Sequence, residues 1–152
     1  MDRSTLALQL IDAVIAANRA VQRAGDRGFR GYALSQRAYR ALAAVDEAGP
    51  DGARPSEVAA SLGVSRAAAT TFVQRLESRG LVETTPDPAD DRGVRVTLSR
   101  HGLEVLLRAG QLERRLAART IEGLPASAVQ RAVAVLQELR RRSETRAIEV
   151  VR

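Results

Sequence analysis

The sequence of 152 residues has no cysteine, no lysine, no tryptophan and only one histidine, His101. Without cysteine, disulfides, thiolate zinc sites and thiol-based redox sensing are excluded. One histidine cannot supply a two-histidine metal pair, so we expect neither a metal nor a cofactor. The sequence also lacks a phosphate-binding loop and a paired-carboxylate pattern, and an enzyme is not expected. No apolar run approaches the roughly 20 residues of a membrane span, which predicts a cytoplasmic protein without a membrane partner.

The basic residues are all arginine, and they outnumber the acidic residues by 24 to 18. Arginine can hold phosphate or guanine through two hydrogen bonds, and the net charge of +6 favours a polyanionic partner. The charge is uneven, however. Residues 1–53 and residues 54–101 each carry 7 arginines against 6 acidic residues, whereas residues 102–152 carry 10 against 6. A prediction of nucleic-acid binding therefore has to come from the arrangement of individual residues.

The N-terminal region, residues 1–33, has the pattern of one amphipathic helix followed by a link. Between residues 4 and 24, apolar side chains recur at every third or fourth position, as on one face of a helix. After them the sequence predicts a flexible link that carries Phe29 and Tyr32. The glycines that indicate this link are Gly25, Gly28 and Gly31.

Residues 34–101 carry the capping and turn pattern of a helix-turn-helix. Ser35 is placed to cap one helix. A short helix then begins at Pro55, and a longer helix capped by Ser65 follows the turn at Gly63. A short helix, a glycine-containing turn and a longer helix together predict a helix-turn-helix.

Two short strands follow directly, over residues 81–85 and 94–98, because apolar and polar side chains alternate there. The residues between them, 86–93, are rich in Pro, Asp and Gly and predict an exposed hairpin tip. A helix-turn-helix followed by such a hairpin is a winged helix. We expect Asp90 to pair with Arg92 across the tip and to fix the direction of that side chain.

Residues 102–152 return to a helical pattern, with a break at Gly123-Leu124-Pro125 between two helices. The predicted fold is mainly α with a small β-hairpin wing, a winged helix-turn-helix flanked by N- and C-terminal helices. Beside a small winged helix, these flanking helices have little to pack on except a second copy of the chain, so we predict that they form a homodimer. The residues assigned to this dimerisation are Leu6, Leu10, Val14, Val21, Leu124, Val129, Val133 and Leu136.

The longer helix of the helix-turn-helix presents a narrow polar surface that fits the major groove of DNA. Arg66 can bind guanine and Gln74 can bind adenine, whereas Ser65, Thr70 and Arg75 are suited to phosphates. A thin wing tip with an arginine suits the minor groove. The predicted DNA-binding residues are Ser65, Arg66, Thr70, Thr71, Gln74, Arg75, Asp90, Arg92 and Arg95.

Two motifs in this region resemble the multiple-antibiotic-resistance regulator (MarR) family. One contains Leu62-Gly63-Val64-Ser65-Arg66 and Arg79-Gly80-Leu81-Val82, and the other combines Asp90-Asp91-Arg92 with Leu98-Ser99 and Gly102. The resemblance implies a homodimer that binds a palindromic operator in double-stranded DNA as a repressor or an activator, and we expect a repressor. It also implies, for many members, a small ligand, often a phenolic or other aromatic acid, between the dimerisation and DNA-binding regions. Our candidates for contacting such a ligand are Phe29, Tyr32 and Tyr39.

The chain departs from the family pattern at three positions. Members usually have arginine at the position of Asp91, and often have arginine at that of Thr71 and aspartate at that of Gln74. Two cationic contacts are therefore absent, and binding is expected to depend more on Arg92 and Arg95. Two alternatives stay open. One is an architectural protein that binds DNA without regard to sequence, and the other is a winged-helix module that binds a protein.

Overall fold

A computed structural model of the chain describes residues 2–150, with side chains for residues 2–143. Met1, Val151 and Arg152, at the ends of the predicted terminal regions, lie outside the described residues. Contacts divide the chain into two compact units, Met1–Leu116 and Ala117–Arg152. In chain order the elements are α1 (Arg3–Phe29), a 3₁₀ turn (Arg30–Tyr32), α2 (Gln36–Glu47), α3 (Pro55–Leu62), α4 (Arg66–Ser78), β1 (Val82–Asp87), β2 (Asp90–Leu98), α5 (Arg100–Thr120) and α6 (Ala126–Val150).

Helix α1 continues to Phe29, through two of the glycines at which a link was predicted. The predicted break at these positions is wrong, because the glycines serve close packing rather than a change of chain direction. A Cβ atom at Gly25 would lie 2.9 Å from the Cβ atom of Gln36, and one at Gly28 would lie 2.6 Å from Cδ1 of Leu116. The chain leaves the α-helix only at the 3₁₀ turn that follows.

The core of the first unit forms around α2. Ser35 caps this helix as predicted, since its Oγ accepts a hydrogen bond from the backbone N–H of Ala38 at 3.1 Å. The ring of Tyr39 stacks on that of Phe29, with centroids 4.9 Å apart. The other buried members of this core are Leu34, Ala38, Ala41, Leu42, Val45, Ala53, Val58, Val73, Leu76, Leu81, Val82, Val96, Leu106 and Ala109.

Helices α3 and α4 form the predicted helix-turn-helix. Gly63 ends α3 with a left-handed backbone, at a φ of 63°, which glycine adopts without strain. Ser65 caps α4, since its Oγ accepts a hydrogen bond from the backbone N–H of Ala68 at 3.2 Å. Helix α4 buries one side against the core through Ala69, Val73 and Leu76.

Strands β1 and β2 pair antiparallel, with Val82 opposite Leu98. They reach further towards the tip than predicted, because residues 86, 87 and 90–93 belong to the strands and only residues 88 and 89 separate them. Turn-forming residues mark where the chain reverses, and backbone pairing continues up to that point. A separate β-bridge joins Val96 to Ala53, with two backbone hydrogen bonds of 2.8 Å. It fastens β2 to the segment that precedes α3.

The second unit contains the end of α5 and helix α6, joined by a turn in which Gly123 has a φ of 80°. Pro125 directly precedes the first residue of α6. Proline is tolerated there because its missing backbone N–H would break a hydrogen bond only in the interior of a helix. Across the described part of the chain, no helix has both the length and the apolarity that crossing a membrane requires.

Candidate nucleic-acid interface

The exposed side of α4 carries the side chains predicted to contact DNA. The positions of α4 that face the core recur every three or four residues. Its apolar residues are therefore directed inwards and its polar residues outwards. The predicted residues that the structure leaves exposed on or directly before α4 are Ser65, Arg66, Thr70, Thr71, Gln74 and Arg75.

The hydroxyl groups on α4 differ in what they offer a phosphate. Thr70 donates its hydroxyl hydrogen to the carbonyl oxygen of Arg66 at 3.0 Å, and Thr71 donates to that of Ala67 at 3.2 Å. Both oxygens can still accept, but donation to a phosphate requires these bonds to break. Ser65 only accepts in its capping bond, so its hydroxyl hydrogen remains available.

The wing is held by a buried carboxylate, that of Asp87, whose side chain is 1% exposed. Its Oδ2 lies 2.8 Å from Nε of Arg54 and 3.1 Å from Nε of Arg95. Its Oδ1 accepts a hydrogen bond from the backbone N–H of Ala89 at 3.0 Å. The bond from Ala89 and the two guanidinium groups hold the pKa of Asp87 below its usual value. From the sequence, a carboxylate was expected to hold an arginine in the wing at Asp90 and Arg92, and these contacts were not assigned to Asp87.

Arg95, predicted to contact DNA, is engaged within the protein. Its Nε pairs with Asp87, and its Nη1 donates to the carbonyl oxygen of Gly52 at 3.2 Å. The side chain is 24% exposed. One contact joins β2 to β1 within the hairpin, and the other joins β2 to the segment before α3. The assignment of Arg95 to DNA stays a prediction.

Asp90 and Arg92 do contact each other, although not as predicted. Oδ1 of Asp90 accepts from the backbone N–H of Arg92 at 3.0 Å, where a pair of side chains was expected. A carboxylate that binds an amide two residues ahead forms a local turn and fixes the backbone there. The side chain of Arg92 stays exposed beside this turn.

The end of α4 is tied to its surroundings by contacts that sequence reasoning missed. Oε1 of Glu77 accepts from the backbone N–H of Thr84 on β1 at 3.2 Å, which joins α4 to the wing. The guanidinium of Arg79 donates to the carbonyl oxygen of Ala33, in the connection before α2. The partners are 7 residues apart in the first pair and 46 in the second, and no local pattern indicates either contact.

The aromatic residues predicted to contact a ligand lie in the core of the first unit and at its margin. Phe29 and Tyr39 are buried in the core. Burial, followed by a hydrogen bond to the carboxylate of Glu113, raises the pKa of Tyr39 to about 12. Tyr32 is half-buried beneath Arg108, whose guanidinium carbon is 5.9 Å from the ring centroid. These rings fill the core and its margin, and their assignment to a ligand stays a prediction.

A cleft of about 520 Å³ opens in the first unit among α1, α2, α3 and α4. Its wall combines two cationic side chains and the carboxylate of Asp26 with an apolar surface. One lining residue, Gln36, is 7% exposed, and its Oε1 has no hydrogen-bond partner among the described residues. An unpaired buried amide oxygen is costly and is rare in proteins. The lining residues of interest are Val21, Gln36, Arg37, Arg40, Leu62 and Phe72.

Residues 34–93, which run from the start of α2 to the outer part of the wing, match the family model described as the MarR family. The winged helix of this chain is a MarR-family domain. The match includes the exposed side of α4, the contacts of Asp87 with Arg54 and Ala89, and the turn at Arg92. The MarR family is a class of transcription regulators, not of enzymes.

A curated relative and two solved structures resemble the chain that carries this MarR-family domain. The HTH-type transcriptional repressor IacR of Pseudomonas putida is 34% identical over 76 residues, which are 50% of this chain and 46% of that protein. The chain thus aligns with about half the length of this relative. CouR from Rhodococcus jostii RHA1, in a crystal structure with p-coumaroyl-CoA, is 26% identical with a TM-score of 0.75, covering 84% of this chain and 88% of that chain.

CouR, described as a transcriptional repressor and bound to a 23-mer DNA duplex, is also 26% identical. That similarity covers 91% of this chain and 97% of that chain, with a TM-score of 0.77. The likeness extends well beyond the MarR-family domain and confirms the predicted fold, mainly helical with a two-stranded wing.

Proposed function

We propose that the chain is a dimeric transcriptional repressor that binds a pseudo-palindromic operator in double-stranded DNA. Helix α4 enters the major groove, and the wing approaches the neighbouring minor groove. The observation that carries this proposal is the pairing of an exposed polar side on α4 with a wing that is held in place and presents Arg92. The names of IacR and CouR support repression, and the DNA-bound structure of CouR supports a DNA partner.

The side chains of α4 divide between bases and phosphates. Arg66 suits the two acceptors of guanine, and Gln74 suits the donor and acceptor of adenine. Ser65 and Arg75 suit phosphates, and the N-terminus of α4 adds the positive end of the helix dipole. Arg92 is the wing cation that we assign to the minor groove.

Exposed apolar side chains support the homodimer. On α1, Leu6 is 54% exposed and Leu10 is 37% exposed, although both belong to one helical stripe. Within the second unit, Leu124 is 59% exposed and Val133 is 48% exposed. Covering apolar surface contributes roughly 25 cal/mol per Å², and apolar patches of this kind mark association surfaces. Both units therefore provide surface for a second copy of the chain.

The cleft among α1 to α4 is our candidate site for a regulatory ligand. Arg37 and Arg40 supply positive charge beside the carboxylate of Asp26, and Leu62 and Phe72 supply apolar surface. These groups suit a small molecule with an anionic group and an apolar or aromatic part. Phe72 belongs to α4, so a ligand here contacts the helix that reads DNA and can favour one of its positions.

Selection from randomised duplex DNA tests the proposed function. The purified chain should enrich an inverted repeat and bind it at least about a thousandfold more tightly than random duplex. Binding without enrichment, with a steep salt dependence, would instead support an architectural protein. Failure to bind DNA at low salt would support a module that binds a protein.

A second experiment tests the ligand site with p-coumarate and p-coumaroyl-CoA as probes. Binding by either probe should raise the melting temperature of the chain and weaken its hold on the selected operator. The doubly substituted variant R37Q/R40Q should lose both effects, whereas R30Q, which removes an exposed arginine outside the cleft, should keep them. Equal responses of the two variants would contradict this site.

A further inference from the structure

Asp87 joins three separate parts of the DNA-binding region. It contacts Arg54 directly before α3, Arg95 on β2 and the backbone of Ala89 in the turn between the strands. We propose that Asp87 is a positioning residue that sets the place of the wing relative to the helix-turn-helix, and thereby the place at which Arg92 meets DNA. This inference rests on the proposed DNA-binding function.

The first step is the attachment of the wing to the start of α3. Arg54 occupies the N-cap position, where Ser or Thr is common, but its own backbone N–H donates to Oε2 of Glu57 at 2.6 Å. Its guanidinium extends to the wing, where Nε donates to Oδ2 of Asp87. The preceding residue, Ala53, makes the backbone bridge to Val96. Two consecutive residues thus hold the wing, one through the backbone and one through charge.

The second step is the position of the carboxylate within the hairpin. Asp87 is the last residue of β1, and the register of the two strands shifts between Pro86 and Asp87. The regular ladder is interrupted there, so backbone pairing alone does not define the path of the tip. Asp87 spans this irregularity by binding β2 through Arg95 and the turn through Ala89. Arg92 lies just beyond, on the outer part of β2.

The third step is the sign of the electrostatic effect. A carboxylate near DNA repels phosphates, so its neutralisation alone should strengthen binding. Asp87 also occupies two guanidinium groups, which its loss would release. If Asp87 acts by position, its loss should weaken binding in spite of both effects. Asp91, an exposed carboxylate on the same wing, offers a charge-matched control.

The experiment compares the full-length variants D87N and D91N on the selected operator. We expect D91N to bind at least as tightly as the wild type, and D87N to bind about tenfold more weakly. In hydroxyl-radical footprints, D87N should lose protection where the wing contacts the minor groove and retain protection around α4. Binding by D87N that equals or exceeds that of the wild type would overturn the inference.

A double-mutant cycle separates positioning from a general loss of structure. If Asp87 acts by placing Arg92, R92A should weaken binding about tenfold in the wild type and by less than about twofold in the D87N background. Equal costs in both backgrounds would overturn the inference. If D87N does not fold, R54Q, which breaks only the contact to α3, replaces it in the same cycle. A wild-type chain without sequence preference would instead remove the proposed function itself.

Discussion

The α-carbon of Gly102, in the first turn of α5, lies so close to the carbonyl group of Leu81 that no side chain fits between them. A Cβ atom at residue 102 would lie 2.8 Å from the carbonyl carbon and closer still to its oxygen. Ser99 secures the same junction, because its Oγ donates to the carbonyl oxygen of Gly80 at 2.6 Å and accepts from the backbone N–H of Gly102 at 2.9 Å. Glycine is thus required at the point where α5 meets the base of the wing.

Replacing this glycine should be strongly destabilising. The atoms that a new Cβ would meet belong to the backbone, which cannot move aside as a flexible side chain can. G102A should lower the free energy of unfolding by about 3 kcal/mol, measured by urea denaturation. Gly31 is a matched control, because no heavy atom lies within 4 Å of a Cβ there. We expect G31A to change stability by less than about 1 kcal/mol; similar losses in both variants would contradict the packing argument.

The raised pKa of Tyr39 predicts a loss of stability at alkaline pH. Below pH 10, the ordinary pKa, the phenol is neutral in both states and its contribution is complete. Between pH 10 and about 12, the unfolded chain releases this proton while the folded chain retains it, so stability falls as the pH rises. The loss should be on the order of 2 kcal/mol in denaturation measured across this range, relative to Y39F. Parallel pH profiles of the wild type and Y39F would contradict this assignment.

Two neighbouring side chains on α4 should affect DNA binding differently. Q74A removes a base contact, so it should relax specificity at one base pair by about 1–3 kcal/mol. R75A removes a phosphate contact, so it should weaken binding to all sequences and reduce the salt slope by about 1. Titrations of both variants against the operator and its single-base-pair variants distinguish these effects. Loss of affinity without altered base preference in Q74A would remove Gln74 from sequence recognition.

A charge on the apolar stripe of α1 should disrupt the dimer. L10D places a carboxylate where we propose that a second copy packs, and desolvating this charge opposes association. Sedimentation equilibrium should show a dimer for the wild type and a shift to the monomer for L10D. Gln9 is exposed beside it, outside the stripe, so Q9D should remain a dimer. A dimeric L10D would exclude this surface from the interface.

Local chemistry explains why the sequence alone predicted the helix-turn-helix and the wing. Ser35 and Ser65 cap the helices that they precede, and Gly63 ends α3, because each of these effects involves residues only a few positions apart. Alternating side chains likewise placed both strands. The sequence also indicated which side chains α4 exposes, since the helical repeat separates Val73 and Leu76 from the polar positions.

Tertiary contacts decided what these local patterns left open. Gly25 resembles a helix breaker in the sequence, but it lies inside α1 because Gln36 packs against it. The part that Asp87 plays depends on Arg54, 33 residues earlier in the chain, and the cleft requires four helices to converge. The sequence by itself determined the order of the elements and their exposed faces. The partners of the wing charges were decided only when distant residues came together, since ion pairing depends on separation in space.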